Sequence, residues 1–154
     1  MGAFARFKNA KSAMGAIRRF ELGSYRCVIH SVKFDKTRKG EEFFAVELKI
    51  DEVRAGEMQE GEIVNWGTFS SWDSYESQVK DFVCKTYNST DAEFDEMSED
   101  DFEELMTALT GADQAATGRY LDVECIPVKN KAGDDAKAVR FHAVAEQDEE
   151  DVAA

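Results

Sequence analysis

The sequence predicts a mainly β fold with helices, of the α+β class, and three observations carry that expectation. Phe43–Ile50 alternates strictly, with Phe44, Val46, Leu48 and Ile50 on one phase and Phe43, Ala45, Glu47 and Lys49 on the other, the pattern of a half-buried strand. Four further segments share its enrichment in β-branched and aromatic residues and are bounded by polar, glycine-bearing turns. Between the third and fourth of the five segments the apolar period lengthens to that of a helix, twice over. The chain has 154 residues, 43% of them hydrophobic and 11% aromatic. That suits one domain with a core of its own and argues against a wholly disordered chain.

Taken in order, residues 1–20 scatter Phe4, Phe7, Met14, Ile17 and Phe20 among Arg6, Lys8, Lys11, Arg18 and Arg19 without a clean period, and read as a basic arm. Tyr25–Phe34 reads as the first strand, with Val28, Val32 and Phe34 on one phase and Tyr25, Cys27 and Ile29 on the other. The polar turn Asp35–Gly40 leads into Phe43–Ile50, so the two form a hairpin. Residues 51–61 are polar, hold Gly56 and Gly61, and read as a loop; Glu62–Phe69 is the third strand. Asp73 and Glu76 have the spacing of a capping box, and Tyr75, Val79, Phe82, Val83 and Tyr87 follow at helical spacing. Ser98 and Asp101 open a second helix, with Phe102, Leu105, Met106 and Leu109 on one face and Gly111 as the stop. Tyr120–Val128 and Ala138–Ala145 are the last two strands, around the loop Lys129–Lys137, and Glu146–Ala154 is too polar to pack. Three meandering strands, a helical segment and a closing hairpin give the chain order of a five-stranded OB-fold barrel with an inserted helical segment. An ordinary α+β sheet with helices on one face yields the same string.

Composition and motifs exclude several functions. No apolar run approaches the roughly 20 residues that span a bilayer. The N-terminus is charged instead of apolar, so secretion is not indicated, and Arg6 stands where a myristoylation signal requires Ser or Thr. Asn88-Ser89-Thr90 matches a glycosylation acceptor, without a secretory route to use it. Three widely spaced cysteines, Cys27, Cys84 and Cys125, fit a reducing cytoplasm better than a disulfide framework. They lack zinc-site spacing, and His30 and His142 stand alone in strands. The acidic segment from Asp91 fails the EF-hand pattern, with Glu96 and Phe102 where Gly and Glu are required. No phosphate-binding glycine loop and no nucleophile elbow occur. The expectation is a non-enzyme without metal or cofactor.

Charge is unevenly spread. The net charge is −13, yet residues 1–40 hold ten Lys and Arg against Glu21 and Asp35, a net of +8. Nine acids crowd Asp91–Glu104 and five crowd Glu146–Asp151. A basic front half creates a local field that the sum conceals. Within it, cations and aromatics interleave: Tyr25, Phe34, Phe43, Trp66, Phe69 and Trp72 lie in or beside the first three strands, among Arg26, Lys33, Lys36, Arg38, Lys39 and Lys49. Lys129, Lys131 and Lys137 flank the final hairpin. Cations meet phosphates and π-faces meet bases, the combination that single-stranded nucleic acid requires. Phe43 is the sharpest candidate, a phenyl ring on the polar phase of its strand. Trp66 and Phe69 are on opposite phases, so only one of them is expected at the surface, and Trp72 approaches the first helix.

Gly23–Ile29, the hairpin Lys39–Leu48, the late strand Gly118–Val123 and the acidic end together resemble the bacteriophage single-stranded DNA-binding proteins built on an OB-fold. The resemblance spans about residues 20–151 and rests on strand and turn patterns. It implies a role in DNA replication, recombination or repair, in the cytoplasm of an infected bacterial host. It also implies an acidic tail that recruits replication or recombination proteins or competes with DNA. Related tails finish with an aromatic residue, whereas this chain finishes Asp151-Val152-Ala153-Ala154. The expected organisation is a basic arm at 1–20, an OB-fold ssDNA-binding domain at 21–145 and a disordered acidic tail at 146–154. The rival expectation is an acidic protein-interaction module, a phage structural or regulatory factor that meets another protein through Phe43 and Trp66.

Overall fold

The computed structural model describes residues 18–144. Both proposed terminal segments, 1–20 and 146–154, fall outside the described residues apart from Arg18, Arg19 and Phe20. The elements run β1 (Gly23–Lys36), β2 (Glu42–Gly56), β3 (Ile63–Phe69), α1 (Tyr75–Thr86), α2 (Asp91–Asp95), α3 (Glu99–Thr110), β4 (Tyr120–Lys129) and β5 (Asp135–Ala143). The five strands form one antiparallel sheet in the order β3-β2-β1-β4-β5. The fold is therefore α+β, as expected, and no ladder closes β3 onto β5.

The alternation in β2 sets the sheet's two faces. Phe44, Val46, Leu48 and Ile50 are buried, while Phe43, Ala45 and Glu47 are partly exposed and Lys49 is exposed. The strand does not end at Ile50, because Asp51–Gly56 stays paired with the start of β1 as far as Gly23↔Gly56. These two glycines are required by close approach. Both have positive φ, +151° and +117°, and a Cβ on Gly56 would lie 2.4 Å from Tyr25 Oη.

The two phases expected along β1 are joined by a bulge. His30 is the extra residue between Ile29↔Leu48 and Ser31↔Glu47. Beyond it the side-chain alternation shifts by one. Val32 and Phe34 thereby share the core side with Tyr25, Cys27 and Ile29, and Val28 faces out, opposite Lys49. The freed edge of β1 is sealed from the α3–β4 connection. Gln114 accepts from Val32 N at 2.7 Å and donates to Val32 O at 2.9 Å, so its side-chain amide pairs as a neighbouring strand would. Thr117 Oγ1 donates to His30 O at 2.8 Å.

α1 lays Phe82 and Val83 onto the core face. An aromatic cluster results: Phe82 stacks on Trp66 at 5.8 Å, and meets Phe44 at 5.6 Å and Phe141 at 5.3 Å edge to face. Trp66 of β3 also meets Phe141 of β5 at 4.8 Å, so the open sheet curls until its outer strands touch through side chains. The expected capping box at Asp73 is not formed. Ser74 occupies the N-cap without a side-chain bond, and the Asp73 carboxylate is taken by Lys131. A true capping box lies at Thr90 and Glu93, opening the short helix α2 that sequence reading did not assign, and Ser98 caps α3 as expected. No helix among the described residues is long and apolar enough to cross a membrane.

Candidate nucleic-acid interface

The outer face of β1–β3 is built by cross-strand register. Phe43 stands opposite Phe69, Ala45 opposite Gly67, and Glu47 opposite Asn65. On the β1 side Lys33 is opposite Ala45 and Asp35 is opposite Phe43. The rings of Phe43 and Phe69 lie 6.2 Å apart, and the Lys33 ammonium sits 5.8 Å from the centre of the Phe43 ring, within cation–π range.

The chain then turns so that a third ring joins the pair. Ser70 N donates to Glu42 O at 2.8 Å, and Trp72 N donates to Phe69 O at 2.9 Å. This tight turn folds the Trp72 indole against Phe69 at 5.1 Å and leaves it 49% exposed. Asp73, the next residue, is bound by Lys131 from the β4–β5 hairpin. That hydrogen bond holds the Asp73 carboxyl below its ordinary value and the Lys131 ammonium above its own. Phe43, Phe69 and Trp72 thus line up between the β1–β2 turn, with Lys36, Arg38 and Lys39 exposed, and the β4–β5 hairpin tip, where Lys129 and Lys131 are each paired with a carboxylate.

Two further features extend the face. Ala45 and Gly67 leave a strip almost without side chains beside the Phe43–Phe69 pair, where a flat ring can approach the backbone closely. A glycine inside a strand is the sequence signal for such an approach. Beside Phe69 and Trp72, a cleft of about 470 Å³ opens between β3 and β5, with Trp66 at its base and Arg19 and Lys137 at its sides. Lys137 Nζ donates to Phe20 O at 3.2 Å, and Asn65 N donates to Arg18 O at 2.8 Å, which anchors the incoming chain there.

Several expected site residues lie elsewhere. Tyr25 is fully buried, its hydroxyl donating to Glu21 O and Leu22 O, both at 3.0 Å. Trp66 is in the core on Phe82. The two therefore face the interior, because the strand phase shared with Phe44 points inward. The burial of Trp66 also dismantles the Phe43–Trp66 surface of the rival expectation. The β1 bulge turns Phe34 toward the helices. Arg26 is bound to Asp122 at 3.0 Å, and Arg54 shares the same carboxylate at 3.1 Å, so Arg26 belongs to a charge network between β1 and β4. Lys49 is exposed midway along β2, opposite Ile63. Lys129 is paired with Asp135 at the base of the last hairpin.

His30 and His142 are exposed, 3.6 Å from Glu47 and 3.7 Å from Glu124. The three cysteines are buried and free. Among the described residues no group of three or more His, Cys, Asp or Glu is arranged to hold a metal ion. No protein-family model matches the chain, and no curated protein matches it.

Proposed function

We propose that the chain is a sequence-tolerant single-stranded DNA-binding protein that coats exposed strands and protects them during replication, recombination or repair. The observation that carries this reading is the aligned trio Phe43, Phe69 and Trp72, with Lys33 over one ring and the exposed Lys36, Arg38 and Lys39 on the neighbouring turn. Cations capture phosphates, and bases then stack on the rings; stacking is worth about 1–3 kcal/mol per base and is indifferent to base identity. Ala45 and Gly67 give a stacked base room to lie flat. We read the sheet as an OB-type barrel left partly open. Its five antiparallel strands and the Trp66–Phe141 contact across the gap support that reading.

The experiment is a fluorescence titration with oligo-dT across a salt series, with duplex DNA as the comparison. Trp72 is the exposed reporter. The expected result is quenching by single strands, with affinity falling by a log–log slope of roughly −0.7 for each phosphate contact. Equal affinity for duplex, or no binding at low salt, overturns the proposal.

A further inference from the structure

On the helix-bearing side of the sheet, away from the Phe43 face, a groove of about 400 Å³ opens between the Phe34 end of β1 and the three helices. Phe34, Val79, Phe94, Phe102 and Met106 supply apolar walls. Phe34 and Phe102 are 49% and 37% exposed, so large rings lie bare to water. Among the described residues that line it, Lys80 pairs with Asp95 at 2.7 Å, which leaves Glu42 and Glu76 to make the rim acidic. Such a surface repels phosphates and fits a partner that joins cations to bulky apolar side chains.

The chain itself contains that partner. Residues 1–17 have no acid and hold Phe4, Phe7, Met14 and Ile17 among Arg6, Lys8 and Lys11. We propose that this N-terminal segment docks in the groove of its own chain, with Phe4 and Phe7 against Phe34, Phe102 and Met106 and its cations against the acidic rim. Arg18 is fixed at β3 by the Asn65 hydrogen bond and by an ion pair to Glu62 at 3.3 Å. Phe7 lies eleven residues upstream, a reach of about 36 Å if extended, comparable with the diameter of a domain of this size. A segment that is attached and within reach meets the groove of its own chain at an effective concentration that dilution does not lower. That favours the groove of the same chain over that of another copy. The proposal does not rest on nucleic-acid binding.

The test uses the full chain carrying a nitroxide on Ala10→Cys, with the native cysteines protected by burial, and follows the amide NMR signals of isotope-labelled protein. At low salt the signals of Phe34, Phe102 and Met106 should broaden. The broadening should be lost at high salt and in the Phe102→Glu variant, whose β1–β4 signals stay in place as the control for folding. It should also be lost when label and isotope are on different copies. Absence of broadening at the groove in low salt, or broadening that survives Phe102→Glu, overturns the proposal. So does broadening confined to the mixed sample, which would give the groove to a second copy.

Discussion

Phe43 and Phe44 are adjacent in the chain and face opposite ways, so replacing each by alanine separates the proposed site from the fold. Phe44 is fully buried and meets Phe82 at 5.6 Å and Trp66 at 6.4 Å. Its truncation removes a ring from the centre of the aromatic cluster, which should cost about 3–5 kcal/mol of stability. Phe43 loses only its cross-strand partner Phe69 and the Lys33 contact, worth about 0.2–1 kcal/mol. If a base stacks on Phe43, Phe43→Ala should weaken ssDNA binding by about 1–3 kcal/mol, roughly a 5- to 140-fold rise in Kd. Urea denaturation followed by far-UV circular dichroism reads the first quantity, and oligo-dT titration at fixed salt reads the second. A Phe43→Ala protein that binds oligo-dT as the parent does, or that unfolds as readily as Phe44→Ala, refutes the reasoning.

Gly56→Ala should destabilise the fold by about 2–4 kcal/mol, since its methyl would meet the Tyr25 hydroxyl and Leu22 O at a φ that L-residues avoid; an unchanged urea midpoint would contradict this. Stability should also fall in alkali. Burial, then Asp122 and Asp51, push the Cys27 thiol from 9.0 up to about 12, and burial, then Glu42, push the Tyr75 hydroxyl from 10.0 up to about 12. Both groups hold their protons more tightly when folded, so their contribution is complete below pH 9.0 and is lost as pH rises toward 12; a thermal midpoint that stays level through this window would count against it. Lys131→Ala should leave the thermal midpoint unmoved, because its pair with Asp73 is fully exposed, yet make the salt slope of ssDNA binding shallower by about 0.7 if the lysine exchanges Asp73 for a phosphate. Deleting residues 146–154 should raise ssDNA affinity at low salt without moving the thermal midpoint, if the acidic tail competes for the basic face; equal affinities across a salt series would remove that competition.

Much of the sheet was legible because a half-buried strand writes its two faces into alternate residues. Phe43 stood out for the same reason, as a ring on the polar phase. What stayed hidden depends on partners distant in sequence. β2 runs on through Asp51–Gly56 because β1 pairs with it there, although those residues are polar. The extra residue at His30 leaves no local mark, so alternation alone separates Val32 and Phe34 from Tyr25, Cys27 and Ile29, whose side of the sheet they share. Tyr25 and Trp66 looked like Phe43 by composition, since an aromatic ring in a strand serves a core and a binding face equally well. Asp73 had the spacing of a helix cap, but Lys131, 58 residues away, claimed its carboxylate. The capping box at Thr90 and Glu93 has its signal in the local sequence, a Thr followed three residues later by Glu.

The central position of β1 has a consequence for how the chain folds. Its pairing with β2 needs only a short turn, whereas its pairing with β4 joins Val28 to Tyr120, closing a loop of some ninety residues at an entropic cost of about 4 kcal/mol. The meander β1–β2–β3, with Phe43 and Phe69 already in register, can therefore assemble early, and the docking of β4 is the slow event. During synthesis the meander is also made first. Until β4 arrives, the backbone edge from Gly23 to Val28 stands unpaired beside Cys27 and Ile29, open to the same edge of another nascent copy. The polar helical segment that separates β3 from β4 thus sets how long the growing chain is vulnerable to aggregation.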